Sequence, residues 1–334
     1  MNVAIPSRKL DRLSSCLPLA ALLLICSSVA YSQSAQSPPP SADAPLQSTI
    51  SVQSDLVALA VRVTDAHGNF VPGLRQQDFQ VYEEGRPQTI TLFQQEDAPV
   101  TVGLVVDHSR SMGRKLAEVS AAVSAFSHSS NPQDEMFVVD FNDDVWLQML
   151  GGKPFTHDAS DLEKAIAAVS ARGRTALYDA IAEGINHMRY GHWEKKALIL
   201  VTDGGDNASH QKLSDILALA QRSQIVIYSI VLIGADEEEN PGVLRRLCKS
   251  TGGIAYFPDA KQSIASISNQ IARDLREQYT LGFAPQKQTR DGSFRKVQVK
   301  VSATGQGKLN VRYRPGYFAS EEKKVTAQSG KGAS

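Results

Sequence analysis

The sequence predicts an α/β protein: a doubly wound, mostly parallel six-stranded sheet inserted in a small β-sandwich. Three observations carry that expectation. Residues 98–276 alternate short apolar runs with helix-length stretches, the pattern of a parallel sheet covered on both faces. Two of the runs, Thr101–Val106 and Ala197–Thr202, are nearly continuous in apolar residues, as buried parallel strands are. Segments rich in β-formers and spaced by Gly/Pro turns lie on both sides of this region, at 50–97 and 277–318. Neither has enough strands for a sandwich by itself, so the two together are expected to build one around the inserted domain.

The elements follow in order. Arg8, Lys9 and Arg12 precede an apolar run, Leu17–Ile25, and Ser28-Val29-Ala30 suits a small-x-small cleavage site, so residues 1–30 read as a secretory signal peptide. The run is short for a membrane span. Ile25 is bulky where lipid attachment at Cys26 would want a small residue. Loss of the leader removes Cys16 and Cys26 and leaves Cys248 without an internal disulfide partner. Residues 31–49 are rich in Ser, Pro and Ala and read as a disordered linker. In the first sandwich segment, Leu56–Val63, Phe79–Tyr82 and Thr89–Phe93 are strand candidates, with Asp65–Asn69, Val71–Leu74 and Glu84–Pro87 as turns.

Within 98–276 the expected strands are Val100–Val106, Met136–Phe141, Val145–Leu150, Ala197–Thr202, Ile225–Leu232 and Ile254–Phe257. The expected helices are Lys115–Ser127, Asp161–Val169, Ala176–Met188, Leu213–Arg222, Val243–Ser250 and Ile264–Arg276. Only Asn142-Asp143-Asp144 separates the second and third strands, which is hairpin spacing and puts one antiparallel strand at an edge. The second sandwich segment offers Gln278–Phe283, the strictly alternating Lys296–Val301, and Lys308–Tyr313. Residues 319–334 read as a disordered tail. The full chain carries 35 basic and 35 acidic residues, which gives no reason to expect a nucleic-acid partner.

The chemistry concentrates where strands end. The first strand of the inserted region delivers Asp107, followed by Ser109 and Ser111; the fourth delivers Asp203; between them Thr175 opens a helical stretch. Ligands of open α/β sheets collect outside the carboxyl ends of such strands, at the switch point of the strand order. Two carboxylates and three hydroxyls meeting there suit a hard divalent cation. Taken singly, each piece is an ordinary cap or turn; the conjunction is the signal.

This constellation, Asp107-x-Ser109-x-Ser111, Thr175 and Asp203, each in its βα setting, resembles the von Willebrand factor type A domain over residues 98–276. The resemblance implies a Rossmann-like sheet of strand order 3-2-1-4-5-6 and a metal-ion-dependent adhesion site, usually occupied by Mg2+, with Mn2+ or Ca2+ as substitutes. It implies that Ser109 and Ser111 bind the metal directly and Thr175 directly or through water. Asp107 and Asp203 would act through water or as acceptors from those hydroxyls. The segments Val63–Phe79 and Arg312–Tyr317 are also similar to those of a group of bacterial secreted proteins carrying a related domain.

Neutral hydroxyls leave most of the cation's charge unquenched, so a Glu or Asp side chain from a protein partner is the expected further ligand. The expected role is a secreted or surface protein-binding module and not an enzyme: no Gly-x-Ser-x-Gly elbow, phosphate-binding loop or HExxH motif is present. Three other readings remain at this stage: an envelope-assembly module whose metal only rigidifies loops, a metal-dependent hydrolase, and a switch in which a ligand-driven shift of the last helix, Ile264–Arg276, pulls on the sandwich through Glu277–Tyr279. Further expectations are His108, Arg110, Asp206 and Asn207 near the rim of the site, an incidental glycosylation sequon at Asn207-Ala208-Ser209, and a buried core thiol at Cys248.

Overall fold

The computed structural model describes residues 56–321 except 96, 169, 234–239, 260 and 288. All lie in the compact unit Gln53–Ser334. The expected leader and linker, with Cys16 and Cys26, fall outside the described residues, as does the expected tail from residue 322 onward.

Four strands precede the inserted region: β1 (Val57–Thr64), β2 (Phe79–Glu83), β3 (Arg86–Gln88) and β4 (Ile90–Gln94). The region itself contributes β5 (Val100–Asp107), β6 (Glu135–Phe141), β7 (Val145–Leu147), β8 (Lys195–Thr202), β9 (Val226–Val231) and β10 (Ala255–Tyr256). Its helices are α1 (Leu116–Ser129), α2 (Ala159–Ala167), α3 (Leu177–His187), α4 (Leu213–Ser223), α5 (Pro241–Thr251) and α6 (Ile264–Arg276). Four strands follow: β11 (Tyr279–Phe283), β12 (Phe294–Val301), β13 (Asn310–Arg312) and β14 (Gly316–Phe318).

The six strands of the inserted region lie in the order β10-β9-β8-β5-β6-β7. Counted within the region this is 3-2-1-4-5-6 read from the β7 edge. All pairs are parallel except β6–β7, the edge hairpin that the short Asn142–Asp144 spacing requires. Every residue of β5 is buried, because β5 is central and both its faces are covered. Val100, Val102, Leu104 and Val106 face the core shared with α1, α2 and α6, while Val105 faces the core shared with α3, α4 and α5. The six helices thus divide three and three, and the switch between the halves falls at β5 and β8.

The flanking strands form two four-stranded antiparallel sheets, β13-β1-β11-β4 and β14-β12-β2-β3. Each mixes strands from before and after the inserted region, and their inward residues share one core around Leu59, Val61, Phe79, Tyr279 and Phe283. Three local expectations change. Arg86 and Pro87, read as a turn, belong to strand β3, and the turn shrinks to Glu84-Gly85, both at positive φ. Tight two-residue hairpins favour that geometry, and Pro87 is tolerated because β3 is an edge strand. Val145–Leu150 shortens to β7, with Leu150 instead bridging to Lys153. The sandwich also continues past residue 318: buried Ala319 donates to the carbonyl of Ser293, and Glu321 bridges to Asp291.

The last helix of the inserted region is held by the sandwich. Helix α6 begins with Ser263 capping the Ser266 amide and buries Ile267, Ile271 and Leu275 at helical spacing. Near its carboxyl end, Asp274 is 1 % exposed. Its carboxylate takes Arg62 of β1 at 3.0 Å and Arg312 of β13 at 2.5 Å, together with the hydroxyl of Tyr256 at 3.2 Å and the amide of Gln270 at 2.7 Å. The same Arg62 guanidinium donates to the carbonyl oxygens of Arg273 and Glu277 and to the Glu277 carboxylate. It therefore caps a helix end whose carbonyls have no further helical partners, at the pole where a cation is favoured.

Breaking one side of this buried cluster leaves an uncompensated charge. Asp274→Ala or Arg62→Ala is expected to lower unfolding stability in urea by about 3–5 kcal/mol. Lys164→Ala, which loses an exposed pair with Asp161, should cost less than about 1 kcal/mol. Comparable small effects in all three variants would show that the cluster does not hold the two parts together.

Candidate metal-binding site

Three chain segments converge beyond the carboxyl ends of β5 and β8. The first follows β5. Asp107 is fully buried at the strand end; one carboxylate oxygen accepts from the Ser109 amide at 2.8 Å and the other from the Thr202 hydroxyl of β8 at 2.6 Å. Burial is the largest influence on this carboxyl and pushes it up to about 6, with the charge of Asp203 adding to the effect and the Ser109 and Thr202 hydrogen bonds opposing it. Ser109 is buried and Ser111 half-buried, and their Oγ atoms lie 3.1 Å apart as the chain enters a 3-10 turn, Arg110–Lys115.

The second segment follows β8. Asp203 is buried; Oδ1 accepts from the Gly205 amide at 3.3 Å, and Oδ2 accepts from the Lys115 ammonium at 3.3 Å. Gly204 has φ +88°, and a Cβ there would sit 2.8 Å from the carbonyl oxygen of Asn240, so glycine is needed for this turn. The third segment precedes α3. Gly173 has φ +75°, and a Cβ would lie 1.9 Å from Asp143 Oδ2, the atom that accepts from the Arg174 amide. Buried Thr175 follows two residues later, just before α3.

Hydrogen bonds lace the three segments together. The Arg172 amide donates to His108 O and the Arg110 amide to Gly173 O, tying the first to the third. The Thr175 amide donates to Asn207 Oδ1 at 2.8 Å, while Thr175 O accepts from the amides of Asn207 and Ala208 at 3.0 and 3.1 Å, tying the third to the second. Ser209 Oγ accepts from the Tyr178 and Asp179 amides at the start of α3, where unpaired amides need acceptors. The residues of the sequon thus hold Thr175 and the amino end of α3.

All five predicted residues lie on these three segments, and the structure adds three that the sequence left out or placed only at the rim. Thr202 steadies Asp107; Asn207 steadies Thr175; Lys115 reaches Asp203. The expectation that His108 lines the rim is wrong. His108 is fully buried, with Nδ1 3.1 Å from Asp140 Oδ1 of β6. The cause is that the β5–β6 pairing runs one residue further than the strand itself: the His108 amide donates to Phe141 O, which turns the imidazole toward β6. Arg110 is exposed. His187 stacks on Phe155 and His192 pairs with Glu135. Cys248 is buried in the core, which drives its thiol pKa upward.

The donor set fits a hard cation. It consists of hydroxyl and carboxylate oxygens, the ligands magnesium prefers. Among the described residues no group of three or more His, Cys, Asp or Glu stands in metal-binding proximity, so a soft-ligand centre of the zinc type has no counterpart here.

A doubly wound sheet with hydroxyl- and carboxylate-bearing segments meeting at its switch point defines a class of domain. The family model of the von Willebrand factor type A domain matches residues 102–270, half of the chain, and the chain belongs to that family, as a protein-interaction type of module. Among curated proteins, an uncharacterized protein of Synechocystis sp. is 24% identical over 182 residues, covering 52% of this chain and 41% of its own. The chain therefore spans less than half the length of that relative. Among solved structures, the von Willebrand factor type A protein from Catenulispora acidiphila is 14% identical with a TM-score of 0.47, covering 68% of this chain and 67% of that one. BatB from Bacteroides thetaiotaomicron is 18% identical with a TM-score of 0.43, covering 53% and 97%. The corresponding domain of the type V pili tip protein Mfa5 from Porphyromonas gingivalis is 15% identical with a TM-score of 0.45, covering 53% and 95%.

The raised pKa of Asp107 has a definite sign. Between pH 4 and 6 the folded state holds a proton that the unfolded state has released, so this residue withdraws stability as pH rises through that window. In chelator, Asp107→Asn should abolish that contribution, on the order of 2 kcal/mol. Urea midpoints of wild type should therefore fall relative to those of the variant from pH 4 to 6. Parallel pH profiles for the two proteins would contradict a burial-raised carboxyl.

Proposed function

We propose that this protein is an exported binding module that captures an acidic side chain of a partner protein through Mg2+, with Mn2+ or Ca2+ able to substitute. The observation that carries the reading is the pairing of two uncharged hydroxyls, Ser109 and Ser111, on the segment that follows buried Asp107, with buried Asp203 on the segment that follows the neighbouring strand β8. Ser109, Ser111 and Thr175 are the residues to hold the cation. When bound, the cation supplies attraction for one more anionic oxygen, because neutral first ligands leave its charge largely unquenched.

The remaining residues prepare the site. Asp107 is anchored to both central strands and orients the Ser109 amide. Asn207 keeps Thr175 in register with the segment after β8. These hydrogen bonds set the pocket before a partner arrives, which reduces the ordering cost of binding. Binding rather than turnover is favoured by the way the side chains are committed. Asp107 already accepts two hydrogen bonds, and the nearest imidazole in sequence, His108, faces Asp140 instead of the serines. The proposal of export rests on the basic-then-apolar pattern of residues 8–30. Among the described residues no helix is long and apolar enough to cross a membrane.

Capture of a partner from native extract is expected with Mg2+ present and is expected to fail in chelator. Asp107→Ala should lose that capture while keeping the secondary structure measured by circular dichroism. Undiminished capture by this variant, or capture indifferent to chelator, would refute the assignment.

A further inference from the structure

One side chain beside the site breaks a local rule. Lys115 is 8 % exposed, although lysine is among the residues least often buried. It ends the 3-10 turn Arg110–Lys115, which runs directly into α1. A charged residue held out of water needs compensating partners, and positions that break local rules in this way gather at functional sites. One such partner is Asp203, whose Oδ2 lies 3.3 Å from the ammonium; the Asp203 side chain is 3 % exposed. Asp203 is one of the two carboxylates of the proposed metal site. The ammonium therefore lies within the reach of the cation's own field.

The charge of the pocket follows. Asp107 and Asp203 bring two negative charges and Lys115 returns one positive charge, so these three side chains sum to −1, where the two carboxylates alone give −2. Burial keeps these charges from being screened as surface charges are. We infer that Lys115 is a tethered counter-ion of the metal site: it occupies the electrostatic role of a cation beside Asp203 when no metal is bound, and it lowers divalent-cation affinity while leaving the loaded site with net positive charge. That residual charge strengthens the attraction for a carboxylate from outside. The inference rests on the metal-binding reading above and adds to it a residue that sets affinity and ligand demand.

The arrangement makes two quantities move in opposite directions. Removing the ammonium should tighten metal binding, because a positive charge no longer opposes the ion. It should also weaken the metal-free fold, because Asp203 is left buried beside Asp107 without that counter-charge. A merely structural lysine would give the second effect without the first.

The test is calorimetric titration of the purified full chain with MgCl2 and with MnCl2, paired with thermal unfolding in chelator and in 10-fold excess metal. Lys115→Met should bind either ion at least ten times more tightly than wild type, unfold at lower temperature in chelator, and regain stability on adding metal. Lys115→Gln, of different size, should show the same rise, and Lys115→Arg, which keeps the charge, should stay within about threefold of wild type. With metal loaded, a short peptide containing one Glu should bind the Met variant more weakly than wild type. Uncharged variants with wild-type metal affinity would overturn the inference while leaving the metal site standing. Absence of metal uptake by wild type would instead overturn the metal-binding reading itself. Should the Met variant fail to fold in chelator, the metal affinity of Lys115→Gln decides: tenfold tighter binding supports the inference and wild-type affinity overturns it.

Discussion

A buried carboxylate, Asp274, joins the two parts of this molecule, and much of the rest depends on it. The chain leaves the sandwich after β4, builds a complete α/β domain, and returns through α6 into β11. Two crossings alone would leave the inserted domain free to tilt. Asp274 removes that freedom by accepting guanidinium groups from β1 and β13, one strand on each side of the insertion in sequence. Arg62 then serves twice, since it also caps the last carbonyls of α6. The helix end and the domain junction are stabilised by the same guanidinium, so neither can move without disturbing the other.

That junction lies at the pole opposite the proposed binding site, and the two are connected by ordinary packing. Helix α6 shares a core with α1, and the Ser268 hydroxyl donates to the Ala122 carbonyl. Helix α1 begins at the segment that carries Ser109, Ser111 and Lys115. A displacement of α6 would therefore strain an ion cluster at one end and the α1 packing that supports the serines at the other.

The site shows how folding and binding place opposite demands on the same atoms. Asp107 is costly to bury as an anion, and its pKa is raised accordingly. Thr202 and the Ser109 amide offset part of that cost, as does the ammonium of Lys115 for Asp203. A cation would relieve the remainder. Two buried carboxylates are thus a liability to the fold and, on the reading proposed above, an asset to binding; the surrounding hydrogen bonds offset part of that liability.

The helices and strands were legible in the chain because their causes are local. Apolar runs of six to eight residues mark β5 and β8, Ile264, Ile267, Ile271 and Leu275 mark the buried face of α6, and alternation marks β12. The convergence of Asp107, Ser109, Ser111, Thr175 and Asp203 on adjoining segments was legible as well, since strand ends in a doubly wound sheet meet at one edge. Local signals misled where a neighbour's register decided the outcome. Arg86 and Pro87 became an edge strand only because β2 was there to pair with them, and His108 turned inward only because Phe141 extended the ladder. Nothing within a few residues of Lys115, Arg62 or Asp274 announces the ion pairs described above, Lys115 with Asp203, Arg62 with Asp274 and Asp274 with Arg312, which span 88, 212 and 38 positions. By itself the sequence determined most of the strands and helices, and the strand-end segments on which Asp107, Ser109, Ser111, Thr175 and Asp203 lie. The tertiary structure decided which charges answer one another in the interior, because the energy of a buried charge is set by whatever the fold brings beside it and not by its neighbours along the chain.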